Sequence, residues 1–199
     1  IISVSGLRGI IGESLTAEAA VRYVAAFASE LPSGPVVVAR DGRASGPVLR
    51  DLIVGALTAS GCEVLDIGVA ATPTVGFFVR ASGSVAAVQI SASHNPPEYN
   101  GIKLFGPDGR VIGAAAGDKV RQNYIDNQNR WQPFDKLGRA TKVPDPHTEH
   151  LQAVLATVDV SAIRAKRYRV LLNSNHGAGG LLGARLLEEL GCDAVTVGG

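Results

Sequence analysis

Gln89-Ile90-Ser91-Ala92-Ser93-His94-Asn95-Pro96-Pro97-Glu98-Tyr99-Asn100-Gly101-Ile102-Lys103 is where apolar patterning stops and hydroxyls, an imidazole, amides and two prolines take over. The residues ahead of it, Ser84 to Ile90, are a short apolar run with valines and read as a buried strand. Ser91 to His94 then leave the carboxyl end of that strand, where open α/β sheets place their ligands. Pro96 and Pro97 lack N–H donors and disfavour helix at Asn95, so the loop is expected to be extended and stiff.

Working outward, the same plan recurs. Thr16 suits the N-cap of a helix through about Leu31 whose apolar face is Ala20, Val21, Val24, Phe27, Ala28 and Leu31. Val36 to Ala39 is a buried strand, and Arg40-Asp41-Gly42-Arg43 follows at its carboxyl end, so this segment and the serine loop are expected to share one crevice. Pro47 opens a helix to Ser60, Gly61 suits its C′ position, Glu63 to Ile67 is a strand, and Thr72 starts a helix through about Ala81. Beyond the serine loop come a strand at Ile102 to Phe105, a turn at Gly106-Pro107-Asp108-Gly109 and a helix over Ala114 to Asn127. Helices alternating with strands give an α/β fold.

The pattern weakens from Asn129 to Pro146, which reads as a connection between two domains, 1–138 and 139–199. His147 to Val158 is helical, Tyr168 to Leu172 is a strand, and Asn173-Ser174-Asn175-His176-Gly177-Ala178-Gly179-Gly180 leads into a helix ending at Leu190. That glycine-rich segment fits a phosphate cradle or an ordinary strand-to-helix turn, and matches neither the dinucleotide nor the Walker spacing. Leu57 to Gly68 resembles Leu187 to Gly198, each a helix end, a glycine, a cysteine and a strand.

Composition narrows the function. The 199 residues are 46% hydrophobic and 19% charged with a net charge of +1, and no long basic run offers a footprint for nucleic acid. No apolar stretch reaches the roughly 20 residues that cross a bilayer, and no signal core opens the chain, so a cytoplasmic protein without a membrane partner is expected. Cys62 and Cys192 each follow a glycine and read as buried core thiols rather than a disulfide.

Candidate chemistry gathers at the serine loop. Ser5-Gly6-Leu7-Arg8-Gly9 surrounds one arginine with glycines, which suits either an anion contact or a turn with a solvated arginine. Arg40 and Arg43 suit a phosphate or a salt bridge to Asp41. Successive side chains of an extended segment point apart, so His94 is expected to be poorly placed to deprotonate Ser93 and to contact phosphate, substrate or the loop itself. The Asn100-Gly101 pair reads as a turn that brings Lys103 back towards Ser93. Crowding by Arg8 and His94 would lower its pKa for proton exchange, and a surface lysine on an edge strand is the plainer alternative.

Ser91-Ala92-Ser93-His94-Asn95-Pro96, followed by Tyr99-Asn100-Gly101-Ile102-Lys103, resembles the phosphoserine loop of the α-D-phosphohexomutases, the phosphoglucomutase, phosphomannomutase and phosphoglucosamine mutase enzymes. Ser5 to Gly9 and Arg40 to Arg43 are similar to two further family segments, although Ser3-Val4 departs from the usual Gly-Thr. The resemblance implies a three-layer mixed sheet with helices on both faces, followed by part of a similar second domain. It implies that Ser93 carries the phosphoryl group, that Lys103 and His94 join it in catalysis, and that Arg8, Arg40, Arg43 and Asn95 bind phosphate or substrate. A hexose 1-phosphate and its 6-phosphate would interconvert through a bisphosphorylated sugar, with a hexose 1,6-bisphosphate as activator.

The family's Mg²⁺ is held by the phosphate on Ser93 and by an Asp-Gly-Asp-x-Asp-Arg loop that this sequence does not contain, and Asn173 stands where an aspartate is usual. The chain also stops directly after a strand. It is therefore expected to be the N-terminal portion of the enzyme and inactive by itself. Ile90 to Ser93 leans towards glucosamine mutases and Pro97 to Asn100 towards glucose and mannose enzymes. A non-catalytic sugar-phosphate binding module is the alternative from another class, and a serine hydrolase lacks its Gly-x-Ser-x-Gly signature around Ser93.

Overall fold

Val36 and Val38 pack into one apolar cluster and Val37 and Ala39 into another, because successive side chains of a strand leave opposite faces of a sheet. All four are fully buried, so their strand is covered on both sides. The computed structural model describes residues 2, 3 and 6–198. Ser5, the first residue of the segment read as an anion contact, lies outside the described residues, as do Ile1, Val4 and Gly199.

The sheet has seven strands: β1 (Ile2–Ser3), β2 (Gly6–Ile10), β3 (Pro35–Arg40), β4 (Glu63–Val69), β5 (Ala86–Ile90), β6 (Tyr99–Phe105) and β7 (Ala140–Lys142), in the spatial order β1-β2-β6-β5-β3-β4-β7. It is mixed: β3 runs parallel to β4 and β5, while β6 runs antiparallel to β5 and β2. Helices α1 (Ala17–Ala28), α2 (Gly46–Ala59) and α4 (Ala114–Ile125) bring Tyr23, Phe27, Ile53, Leu57 and Val120 onto one face. Helix α3 (Thr72–Ser82) brings Val75 and Val79 onto the other. The expected three layers are present.

Local signals account for most boundaries. The Thr16 hydroxyl accepts from the Ala19 amide, and the Asp159 carboxylate does the same for Ala162 at the start of α6 (Val160–Lys166). α1 stops three residues before Leu31 because Glu30 and Leu31 bond to carbonyls three residues back, tightening the last turn.

Asn100-Gly101 is not a turn. Both residues lie inside β6, and a Cβ on Gly101 would stand 2.8 Å from the Ser91 carbonyl oxygen and 2.9 Å from that of Leu7. Glycine is needed there for close backbone approach between three strands.

The segment from Asn129 to Pro146 is tied to the sheet. Gly138 packs against the Cys62 backbone, and β7 pairs in parallel with β4, on the far side of a division placed at residue 138. Beyond α5 (Thr148–Leu155) and α6, strands β8 (Arg169–Asn173) and β9 (Asp193–Val197) pair in parallel around α7 (Gly179–Glu189). The repeat extends to hydrogen bonds: the Cys62 amide donates to Leu57 as the Cys192 amide does to Leu187, after glycines with φ 81° and 65°. Cys62 is buried, Cys192 is half-buried, and both are free thiols. Among the described residues no helix is long and apolar enough to cross a membrane.

Candidate active site

The serine loop leaves β5 with its first amide, that of Ser91, bonded to the Gly101 carbonyl of β6. It then folds into turns rather than running extended. The Ser93 amide donates to the Ser91 hydroxyl, the Asn95 amide to the Ala92 carbonyl and the Tyr99 amide to the Pro96 carbonyl. Ser93 takes φ 58°, a left-handed conformation uncommon for a residue with a side chain. This overturns the expectation that Ser93 and His94 diverge. The reversal at Ser93 sets its Oγ 3.3 Å from His94 Nδ1, within reach for proton exchange.

Arg43 explains how the turn is held. Its Nη1 donates to the carbonyls of Pro96 (2.7 Å) and Tyr99 (2.9 Å), its Nη2 to those of Ser93 (3.0 Å) and Asn95 (2.6 Å), and its Nε faces Asp41 Oδ2 at 3.4 Å. The four Nη hydrogens thereby donate to loop carbonyls, and Nε pairs with the Asp41 carboxylate. Both Nη atoms of Arg43 are thus spent on the loop rather than on the phosphate that the sequence reading gave it, and Arg43 braces the loop. Asp41 Oδ1 accepts the Arg43 amide, completing the brace.

The other expected residues separate into those that meet and those that do not. Arg8, on β2, crosses to the loop and donates from Nη1 to Asn95 Oδ1 at 2.8 Å, so these two are brought together. Arg40 ends β3 and donates to the neighbouring Asp41 carbonyl, with no hydrogen bond to the serine loop among the described residues. Lys103 lies on a strand flanked by two others, opposite Gln89 and Gly6, so neither the returning turn nor the edge strand is its setting. Asn100, fully buried, was missed by sequence reasoning. Its Nδ2 donates to Ser45 Oγ at the head of α2, joining β6 to the loop after β3.

A crevice of about 340 Å³ opens in front of Ser93 and His94. Residues 41–43 form one wall, the serine loop another, and residues 175–177 of the β8–α7 connection a third. The shared crevice of the two arginine and serine loops is therefore present. The amides of Ser174, Asn175, His176 and Gly177 already bond to Val197 O, Asn173 Oδ1, Gly198 O and Ser174 O. These four amides are therefore already engaged and not free to cradle an anion.

The resemblance implied Mg²⁺. Among the described residues no three of His, Cys, Asp and Glu gather as a metal site, and the Asp41 carboxylate is engaged by Arg43. The residues present do not fit the ion, and no step below depends on it.

Asp145 and His150, near α7 and α3, are displaced from their ordinary values. Arg185, on α7, grips Asp145 with two hydrogen bonds at 3.0 and 3.2 Å; these, with bonds from Thr148 and the His147 amide, hold the Asp145 carboxyl well below the usual carboxylate range. His150 stacks on Phe77 and meets Thr74 Oγ1 at 3.1 Å, and burial, helped by the charges of His147 and Arg80, lowers its pKa.

Comparison with known proteins follows the same lines. Residues 1–131 match the family described as Phosphoglucomutase/phosphomannomutase, alpha/beta/alpha domain I. A probable phosphoglucosamine mutase of Methanopyrus kandleri is 35% identical over 97% of this chain and 42% of its own length. A phosphoglucomutase/phosphomannomutase of Thermococcus kodakarensis is 36% identical over 96% of this chain and 43% of its own. The chain thus spans less than half the length of these curated relatives. Among solved structures, a phosphoglucomutase/phosphomannomutase family protein of Burkholderia thailandensis superposes with a TM-score of 0.83 at 28% identity, over 100% of this chain and 44% of that one. A phosphomannomutase-like structure from Thermus thermophilus, at 24% identity, shares the fold with a TM-score of 0.88 over 99% of this chain and 45% of its own.

Proposed function

The chain belongs to the phosphoglucomutase/phosphomannomutase family, and on that premise we propose that it is the phosphoserine-bearing part of a hexose-phosphate mutase. Ser93 holds the phosphoryl group. A hydroxyl of a hexose phosphate attacks its phosphorus, the bond to Ser93 Oγ breaks, and a bisphosphorylated sugar forms; in the second half the sugar's other phosphate passes back to Ser93 Oγ. The substrate class is a glucose, mannose or glucosamine phosphate, with a hexose 1,6-bisphosphate priming the serine.

The observation that carries this reading is the left-handed turn that sets Ser93 Oγ beside His94 Nδ1 at the head of the crevice. When Ser93 Oγ departs it needs a proton, and when it attacks it must lose one. His94 is the group within reach for both. Arg8, reaching the loop through Asn95, adds positive charge where phosphoryl transfer concentrates negative charge. Lys103 is kept as the candidate for the proton of the sugar hydroxyl. We further propose that the second domain begins beyond β7, which belongs to the first sheet and moves the division past residue 138, and that the setting is cytoplasmic, in keeping with two unpaired cysteines.

The test is peptide mapping of the protein after exposure to glucose 1,6-bisphosphate. Phosphate is expected on Ser93, and phosphate on Ser91 but never on Ser93 would overturn the assignment. A label on Ser93 that no hexose phosphate can remove would favour a sugar-phosphate binding module.

A further inference from the structure

Five non-glycine residues among those described have positive φ: Ser93, Asn127, Arg167, Asn175 and His176. Asn127 and Arg167 follow the ends of α4 and α6, where a left-handed residue is routine. The other three have no such excuse, and all three line the crevice in front of Ser93. Backbone held in a sparsely populated region persists only where its surroundings over-determine it, and it gathers at functional sites. At Asn175 and His176, φ is 47° and 54°.

What holds these two residues is visible. The Asn175 amide donates to Asn173 Oδ1 and the His176 amide to the Gly198 carbonyl. The His176 carbonyl oxygen lies 2.7 Å from where a Cβ of Gly42 would stand, so the lack of a side chain at residue 42 lets the β8–α7 connection close against the loop after β3.

The polar groups of the crevice can then be counted by what they already bind. Asp41 and Arg43 satisfy each other and the loop carbonyls, His94 faces Ser93, and Asn95 Oδ1 accepts from Arg8. The His176 imidazole and the Asn175 carboxamide have no partner among the described residues. They bring N–H donors to a cavity large enough for a phosphate group.

We propose that His176 and Asn175 are phosphate-binding residues of this site, supplied by the β8–α7 connection, and that they take oxygens of the sugar phosphate while Ser93 and His94 exchange its partner phosphoryl group. The proposal rests on the reading of Ser93 given above and deepens it. An imidazole N–H and a carboxamide beside a phosphate monoester give hydrogen bonds to its charged oxygens from a wall that carries neither lysine nor arginine at residues 175–177.

The chain has four histidines, so their ring resonances can be followed singly by proton–carbon NMR as inorganic phosphate is added. The His94 and His176 signals are expected to move with one half-saturation point while His150 stays still. His176→Asn, which tolerates the left-handed backbone, should weaken phosphate binding about fivefold to tenfold with little change in unfolding temperature. Asn175→Gly should weaken it in the same direction. A His94 signal that responds while His176 does not, or no response from either, would overturn the proposal. Ser93→Ala keeps the two readings apart: a His176 response that survives it, together with an unphosphorylated Ser93, would sink the mutase reading and leave the phosphate site standing.

Discussion

A left-handed Ser93 needs its carbonyl and those that follow to point somewhere, and Arg43 is where they point. The sequence shows both residues but not this pairing, because the carbonyls lie 50 to 56 residues away along the chain. An arginine two residues from an aspartate at a strand end reads equally as a phosphate ligand. Arg43→Lys keeps the charge but replaces a five-donor fork with three donors, so about 1–3 kcal/mol of stability should be lost together with acceptance of phosphate by Ser93. Urea unfolding and peptide mapping measure the two effects. Gly101→Ala places a methyl against two carbonyl oxygens and is expected to cost about 1–3 kcal/mol or more, read as a lowered urea midpoint. The same Asn-Gly pair was misread as a turn because glycine serves tight turns and close approach alike, and only the partner strands tell them apart. For Lys103 the discriminating change is Lys103→Arg, which cannot lose a proton at accessible pH. In the full-length enzyme substrate binding should persist while turnover falls, and near-normal turnover would remove Lys103 from the mechanism.

Among the elements, α1, α2, α3 and β3 to β5 were readable because their signals are local: the Thr16 cap, the glycine after α2 and the valine runs. β7 was not, since three exposed residues carry no period, and α6, seven residues long, was hidden behind one capping aspartate. The Asp145–Arg185 bridge between the start of α5 and α7 is another feature that no local pattern announces. Its carboxyl has a folded pKa below the unfolded value near 3.9, so its stabilisation is fully present above about pH 4 and is lost as pH falls through the depressed value. Because both partners are more than a third exposed, solvent screening keeps the contribution small, under about 1 kcal/mol. Arg185→Ala should therefore lower stability slightly at neutral pH and by progressively less as the pH is taken below about 4, as chemical unfolding at pH 7 and pH 3 would show. His150 runs the other way in charge: its folded pKa lies below the usual 6.5, so the neutral ring is favoured and stability declines as pH drops through the range below that value. NMR titration should place its midpoint below 6.5.

Across the whole molecule, burial is uneven. The residues of β5 are fully buried, whereas every residue of β9 is exposed, with Val195 at 60% and Val197 at 48%. In this chain by itself, amide hydrogen exchange should accordingly be slowest in β3 and β5 and faster by orders of magnitude in β8 and β9; equal protection in both sheets would contradict this. The sheet order also sets a schedule. β2 lies near the start of the chain but pairs with β6, and Arg8 must find Asn95 across 87 residues of sequence. At the usual 5–20 residues per second of synthesis, the ribosome needs roughly 4 to 17 s to supply that partner. Arg8 is thus made early and seated late, so a nascent chain can form the β3–α2–β4 unit well before the arginine reaches the serine loop.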